Sequence, residues 1–163
     1  MEKLAALQLS APPSVLLAED DSDDAFFMQR AFAYSALPNR LFVVRDGLEV
    51  VNYLHGTDPY ADRRKYPLPG LLLLDLKMPR MNGFELLEWL QRRPEFNNLP
   101  KVIVSGSWLE CDAQKAMELG ADDYRVKPLD TDDLTKILHE FQTRWLNGHR
   151  KGAPDTEVAS SPL

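Results

Sequence analysis

The stretch LLLLDLKMPRMNG, residues 71–83, decides the fold. Four consecutive leucines are too few for a helix of ordinary length and too continuous for a strand with one wet face. They fit a strand buried on both sides, the habit of a parallel sheet covered by helices. Asp75 ends the run, and Lys-Met-Pro-Arg-Met-Asn-Gly follows as a turn punctuated by Pro and Gly. Four more short apolar runs lie outward from this one: Val15 to Ala18, Leu41 to Val44, Lys101 to Val104 and Asp123 to Val126. Each reads as a strand of the same doubly buried kind.

Helical patterns separate these runs. Ser22 reads as the cap of a helix with Ala25, Met28, Ala31 and Phe32 on one face, and Asp23 and Asp24 in the first turn suit the helix dipole. Leu48, Val51 and Leu54 mark a second helix. Phe84, Leu87 and Leu90 mark a third, which Pro94 ends. Ala113, Ala116 and Met117 share a face of a fourth, closed by Gly120. Leu134, Ile137, Leu138, Phe141 and Trp145 recur at helical spacing behind a cap at Asp130 or Thr131. Five strand–helix units in succession imply an α/β domain with a doubly wound, five-stranded parallel sheet and right-handed crossovers. One connection is long: residues 56–70, GTDPYADRRKYPLPG, carry three prolines and no apolar period. It reads as a surface elaboration or a partner contact.

A chain of 163 residues with 44% hydrophobic content has room for one ordinary core. Residues 14–147 read as that domain, and residues 1–13 and 148–163, polar and Pro-containing, read as disordered tails. A formal charge of −6 excludes a sequence-independent grip on nucleic acid, which needs a surplus of Lys and Arg. The single cysteine, Cys111, excludes an internal disulfide and leaves no Cys-x-x-Cys pair for zinc. No apolar run reaches membrane-spanning length and no leader pattern opens the chain, so a soluble cytoplasmic protein is expected.

Ligands in open α/β sheets bind beyond the C-terminal ends of the strands. Glu19, Asp20 and Asp21 follow the first strand here, and Asp75 follows the third. If the two strands are neighbours, their acids converge. Carboxylates a few ångströms apart repel one another, and an all-oxygen donor set calls for a hard cation such as Mg²⁺. Ser105 ends the fourth strand's run and Lys127 follows the fifth. The set suits phosphoryl transfer: Asp75 attacks phosphorus, Mg²⁺ and Lys127 offset charge on the oxygens, and Ser105 donates a hydrogen bond. Each residue alone has an ordinary explanation, since Asp caps turns and Lys lies in solvated loops. Joint placement at four strand ends on one side of one sheet favours the chemistry. Strand alternation leaves the choice between Glu19 and Asp21 open.

The motifs LLAEDD, LLLLDLKMPRMNG, VIVSGS and GADDYRVKP stand in the order seen in bacterial response-regulator receiver domains, and the chain closely resembles that family. The resemblance covers about residues 14 to 147. It implies a flavodoxin-like fold with five helices and the family's strand order, 2-1-3-4-5. It makes Asp75 the phosphoacceptor, Asp20 a direct Mg²⁺ ligand, Glu19 a partner acting through water, and the backbone carbonyl of Lys77 a further ligand. Ser105 would move toward the phosphoryl group and Lys127 would pair with it, aimed by a cis peptide bond before Pro128. Tyr124 matches the aromatic switch position, against the plain alternative of a Tyr packed on the last helix. The long 56–70 connection, with Phe141 and Trp145, resembles the small standalone regulators paired with bacterial phytochromes and related sensor histidine kinases. An exposed aromatic end of the fifth helix would suit a homodimer through helix 4, strand 5 and helix 5. Such a switch is not an enzyme in the turnover sense. Two other readings are a phosphorylation-independent interaction module and a Mg²⁺-dependent hydrolase with an aspartyl-phosphate intermediate. Hydrolases resembling haloacid dehalogenases place a second acid two residues after the nucleophile, where this chain has Lys77.

Overall fold

The computed structural model describes residues 11–147. Residues 1–10 and 148–163, most of both expected tails, lie outside the described residues. Five strands form one parallel sheet: β1 Val15–Ala18, β2 Leu41–Val44, β3 Leu71–Leu74, β4 Lys101–Ser105 and β5 Asp123–Val126, in the order β2-β1-β3-β4-β5. The helices are α1 Ser22–Ser35, α2 Gly47–His55, α3 Gly83–Gln91, α4 Glu110–Glu118 and α5 Thr131–Phe141. A π-helical turn, Gln142–Leu146, extends α5, and a 3₁₀ turn, Pro94–Phe96, follows α3.

The leucines of β3 divide between two cores, as the period of two demands. Leu71 and Leu73 join Met28, Phe32, Leu134, Leu138 and Phe141 under α1 and α5. Leu72 and Leu74 join Val50, Tyr53, Leu86, Leu87, Leu90 and Ala116 under α2, α3 and α4. Burial on both faces holds for β1, β3 and β4, every residue of which is buried. It does not hold for β2 and β5, which are the sheet's edges and are covered only in part. Edge strands keep apolar runs here because one face still packs on helices.

Helix ends and faces depart from the sequence reading at several points. Asp21, not Ser22, caps α1, its side chain accepting from the N–H groups of Asp23 and Asp24. Asp130 caps α5. Helix α2, capped by the buried Asp46, buries Val50, Tyr53 and Leu54 and leaves Leu48 exposed. Met117 of α4 is exposed, and Ala116 alone is buried on that short helix. Phe141 and Trp145 are 1% and 8% exposed, so the end of α5 presents no aromatic surface. Their rings pack together beneath α1 instead.

The 56–70 connection is built into the domain. Tyr60 and Tyr66 pack on Tyr53 with ring centroids 5.0 and 6.0 Å away. Arg63 donates to the carbonyls of Tyr53 and Leu54, both at 2.8 Å, and so caps the C-terminus of α2. The Tyr53 hydroxyl donates to the Pro67 carbonyl at 3.0 Å. Burial pushes this phenol up to about 12, above its ordinary value. A phenol raised on folding stays neutral in the folded chain while the unfolded chain ionises. Its contribution is therefore complete below about pH 10 and is lost as the pH rises toward 12, a span of about 2 to 3 kcal/mol. Urea unfolding at pH 8 should show Tyr53→Phe weaker by about 1 kcal/mol, the bond to Pro67. At pH 11.5 the order of the two proteins should narrow or invert.

Candidate functional site

Register brings the acids together. Residues of β1 and β3 pair in step, Val15 with Leu71 through Ala18 with Leu74, so Glu19 and Asp75 leave the sheet at the same level. The N–H of Asp75 donates to the Ala18 carbonyl at 3.1 Å, and that of Glu19 to the Val44 carbonyl at 2.9 Å. Glu19, Asp20 and Asp75 each offer a carboxylate oxygen within 4.8 Å of the others. Asp21 turns away to cap α1, which settles the alternative that strand alternation left open. Oxygens on opposite sides of a Mg²⁺ ion stand about 4 Å apart. The trio therefore fits a hard divalent cation, and it contains no nitrogen or sulfur donor that would favour a softer one. Lys77, whose carbonyl the resemblance adds to the ligands, lies in the exposed loop that opens two residues later.

Lys127 closes the site from β5. Its backbone N–H donates to the Ser105 carbonyl at 2.7 Å, continuing the β4–β5 ladder one step beyond the strands. Its ammonium meets Glu19 Oε2 at 2.7 Å, Asp24 Oδ2 at 2.7 Å and Asp75 Oδ2 at 3.1 Å. Burial works against the charged lysine, but the bonds to Asp24 and Glu19 and the charge of Asp75 outweigh it, so the ammonium is held above its ordinary value. Burial also pushes the Glu19 carboxyl up to about 7; the Lys127 bond opposes this and the charge of Asp75 adds to it. The bond before Pro128 is trans, contrary to the cis bond implied by the resemblance; among the described residues the cis bond is Asp58–Pro59. Trans is the lower-energy isomer for most X–Pro bonds. The flexible lysine stem, anchored by its N–H on Ser105, reaches all three acids without the other isomer.

Ser105 is buried at the end of β4, its hydroxyl accepting from the Ser107 N–H at 3.2 Å. Tyr124 packs against the α2–α4 core, not on α5, and its hydroxyl donates to the Ser107 carbonyl at 2.7 Å. The Ser107 hydroxyl donates to Asp112 at 2.6 Å in the first turn of α4. One loop residue thus joins Ser105, Tyr124 and α4. Asp75 opens into a hollow lined also by Ser105, Trp108 and Lys127. Sequence reasoning missed Asp24, Ser107 and Asp112 as parts of this site. Asp24 already had a sufficient explanation in the helix dipole, and its contact with a lysine 103 residues away depends on how α1 meets β5.

The loop after Asp75 is held against the start of α2. Arg80, in the left-handed region with φ 62°, pairs through Nε and Nη2 with the buried Asp46 at 2.7 and 2.6 Å. The N–H of Gly47 donates to the Met81 carbonyl at 2.9 Å.

An aspartate at the end of a central strand, flanked by two acids from β1 and faced by Ser105 and Lys127 on a 2-1-3-4-5 sheet, defines a receiver domain. Residues 15–139 match the model of the response regulator receiver domain, and the chain belongs to that family. Response regulator Rcp1 of Synechocystis sp. is 32% identical over 138 residues, 84% of this chain and 92% of its own. Its Mn²⁺-bound form superposes with a TM-score of 0.72 at 30% identity, covering 87% of this chain and all of that one. The phosphorylated cyanobacterial phytochrome response regulator RcpA superposes with a TM-score of 0.74 at 31% identity, covering 85% of this chain and 97% of its own.

Proposed function

We propose that the chain is a phosphorylation switch that accepts a phosphoryl group on Asp75 from a sensor histidine kinase in a Mg²⁺-dependent reaction. The observation that carries this reading is the Asp75 carboxylate itself: nearly buried, 3.1 Å from an ammonium, and grouped with two further acids at the mouth of a hollow. An Asp75 oxygen attacks phosphorus, the bond to the kinase histidine nitrogen breaks, and its electron pair stays with the imidazole. Mg²⁺, held by Asp20, Asp75 and the Lys77 carbonyl with Glu19 acting through water, would supply positive charge against the phosphoryl oxygens. Lys127 supplies the other cation and Ser105 a hydroxyl donor. As Ser105 turns toward the phosphoryl group, the Ser107 loop is released and Tyr124 can follow it inward.

The likeness to the phytochrome response regulator RcpA supports a phytochrome-type kinase as the partner. A homodimer through α4, β5 and α5 belongs to the proposal by the family resemblance alone, since Phe141 and Trp145 are buried. A cytoplasmic location accords with such a kinase. No helix among the described residues is long and apolar enough to cross a membrane. Turnover is not part of the proposal, because Lys77 occupies the place of a hydrolase's second acid.

Incubation with Mg²⁺ and acetyl phosphate tests the reading. One base-labile phosphoryl group per chain is expected by intact mass. Steady release of phosphate in excess of protein would support the hydrolase instead, and a chain that takes up no phosphoryl group would be an interaction module.

A further inference from the structure

Lys127 has three N–H donors, and its ammonium lies within 3.1 Å of three different carboxylates. Two of these acids, Glu19 and Asp75, belong to the group that could hold a cation; Asp24 does not. Asp24 also makes the shorter bond, 2.7 Å against 3.1 Å for Asp75, from the first turn of α1. We infer that Asp24 is a positioning residue that competes with Asp75 for the Lys127 ammonium and so slows phosphoryl uptake. The inference rests on the phosphoacceptor role proposed for Asp75.

The competition follows from geometry. A phosphoryl group arriving at Asp75 brings three oxygens that require a cation, and Lys127 can serve them fully only by giving up a bond it already has. Glu19 is nearly enclosed and 2.7 Å from Lys127, whereas the Asp24 side chain is 47% exposed and water can replace its lysine. Asp24 is thus the partner that is lost. Until then it draws the ammonium toward α1 and away from the attacking oxygen. Because Asp24 is half exposed, the effect is modest, about threefold in rate.

The test compares initial rates of adduct formation from sub-saturating acetyl phosphate at fixed Mg²⁺. Asp24→Asn should react about threefold faster than the wild type, and Asp24→Glu, which keeps an acid able to reach Lys127, should react at the wild-type rate. Asp23→Asn is the control: Asp23 is exposed in the same helical turn and carries the same charge, but the acids paired with Lys127 are Glu19, Asp24 and Asp75. Its rate should not change. Equal acceleration by Asp23→Asn would reduce the effect to net charge, and no acceleration by Asp24→Asn would overturn the competition while leaving Asp75 as phosphoacceptor. A wild type that forms no adduct removes the functional reading itself, and the inference with it. Thermal unfolding of each variant verifies that α1 is intact.

Discussion

Asp75→Asn should abolish the base-labile adduct entirely while leaving the fold in place. Asparagine has nearly the same shape, and its oxygen can still accept the N–H of Leu76, which donates to Asp75 Oδ1 at 2.7 Å. Its amide is a far poorer nucleophile, so phosphoryl uptake should disappear, not merely slow. Two opposed terms govern stability. The substitution removes the charge facing Lys127, and it also removes the charge that helps raise the Glu19 carboxyl. Lys127 keeps Glu19 and Asp24, so no buried ammonium is left unpaired. The urea midpoint should therefore stay within about 1 kcal/mol of the wild type. Loss of the adduct together with unfolding would show that Asp75 is needed for packing and would leave its chemical role without support.

The strands were legible because their cause is local. A short run rich in apolar or aromatic residues between polar or turn residues signals a strand whatever the rest of the chain does, and all five runs form strands at nearly the expected bounds. Glu19, Asp20, Asp75, Ser105 and Lys127 were legible for a related reason: in a parallel sheet, the end of each strand is also the edge where ligands bind. Edge positions were not legible in the runs themselves, since nothing inside DYRV or LFVV shows that only one neighbour exists; they followed only from the strand order that the family resemblance implies. Helix faces failed where the helices are short. Nine residues of α2 make two and a half turns: of its expected face Leu54 is buried and Val51 packs partly on the core, but Leu48 is exposed while Val50 and Tyr53 are buried. Asp24, Ser107 and Asp112 escaped because polar residues at caps and first turns have adequate local reasons to be there. Only the packed structure adds the second reason.

Gly83→Ala should both destabilise the domain and impair Asp75, because the two are pressed together. A Cβ on Gly83 would lie 2.5 Å from the Asp75 carbonyl oxygen and 3.0 Å from the Leu76 Cα, and both are backbone atoms that no rotamer change can move. The Gly83 N–H donates to the Leu76 carbonyl at 2.9 Å, so α3 cannot back away without losing that bond. Alanine regains up to about 1 kcal/mol as the better helix former. The clash should exceed this, for a net loss of roughly 1–3 kcal/mol. Relief must come from shifting the Asp75–Leu76 peptide, which carries the nucleophile. A displacement approaching 1 Å can cost on the order of a hundredfold in a positioned reaction. Gly106→Ala provides the contrast: a Cβ there meets nothing within 4 Å, so its stability should remain within about 0.5 kcal/mol of the wild type. Urea midpoints for the two variants, read beside their initial rates of phosphoryl uptake, check both halves of the expectation. If Gly83→Ala matched Gly106→Ala in both, the contact between α3 and the Asp75 peptide would not be what fixes the nucleophile in place.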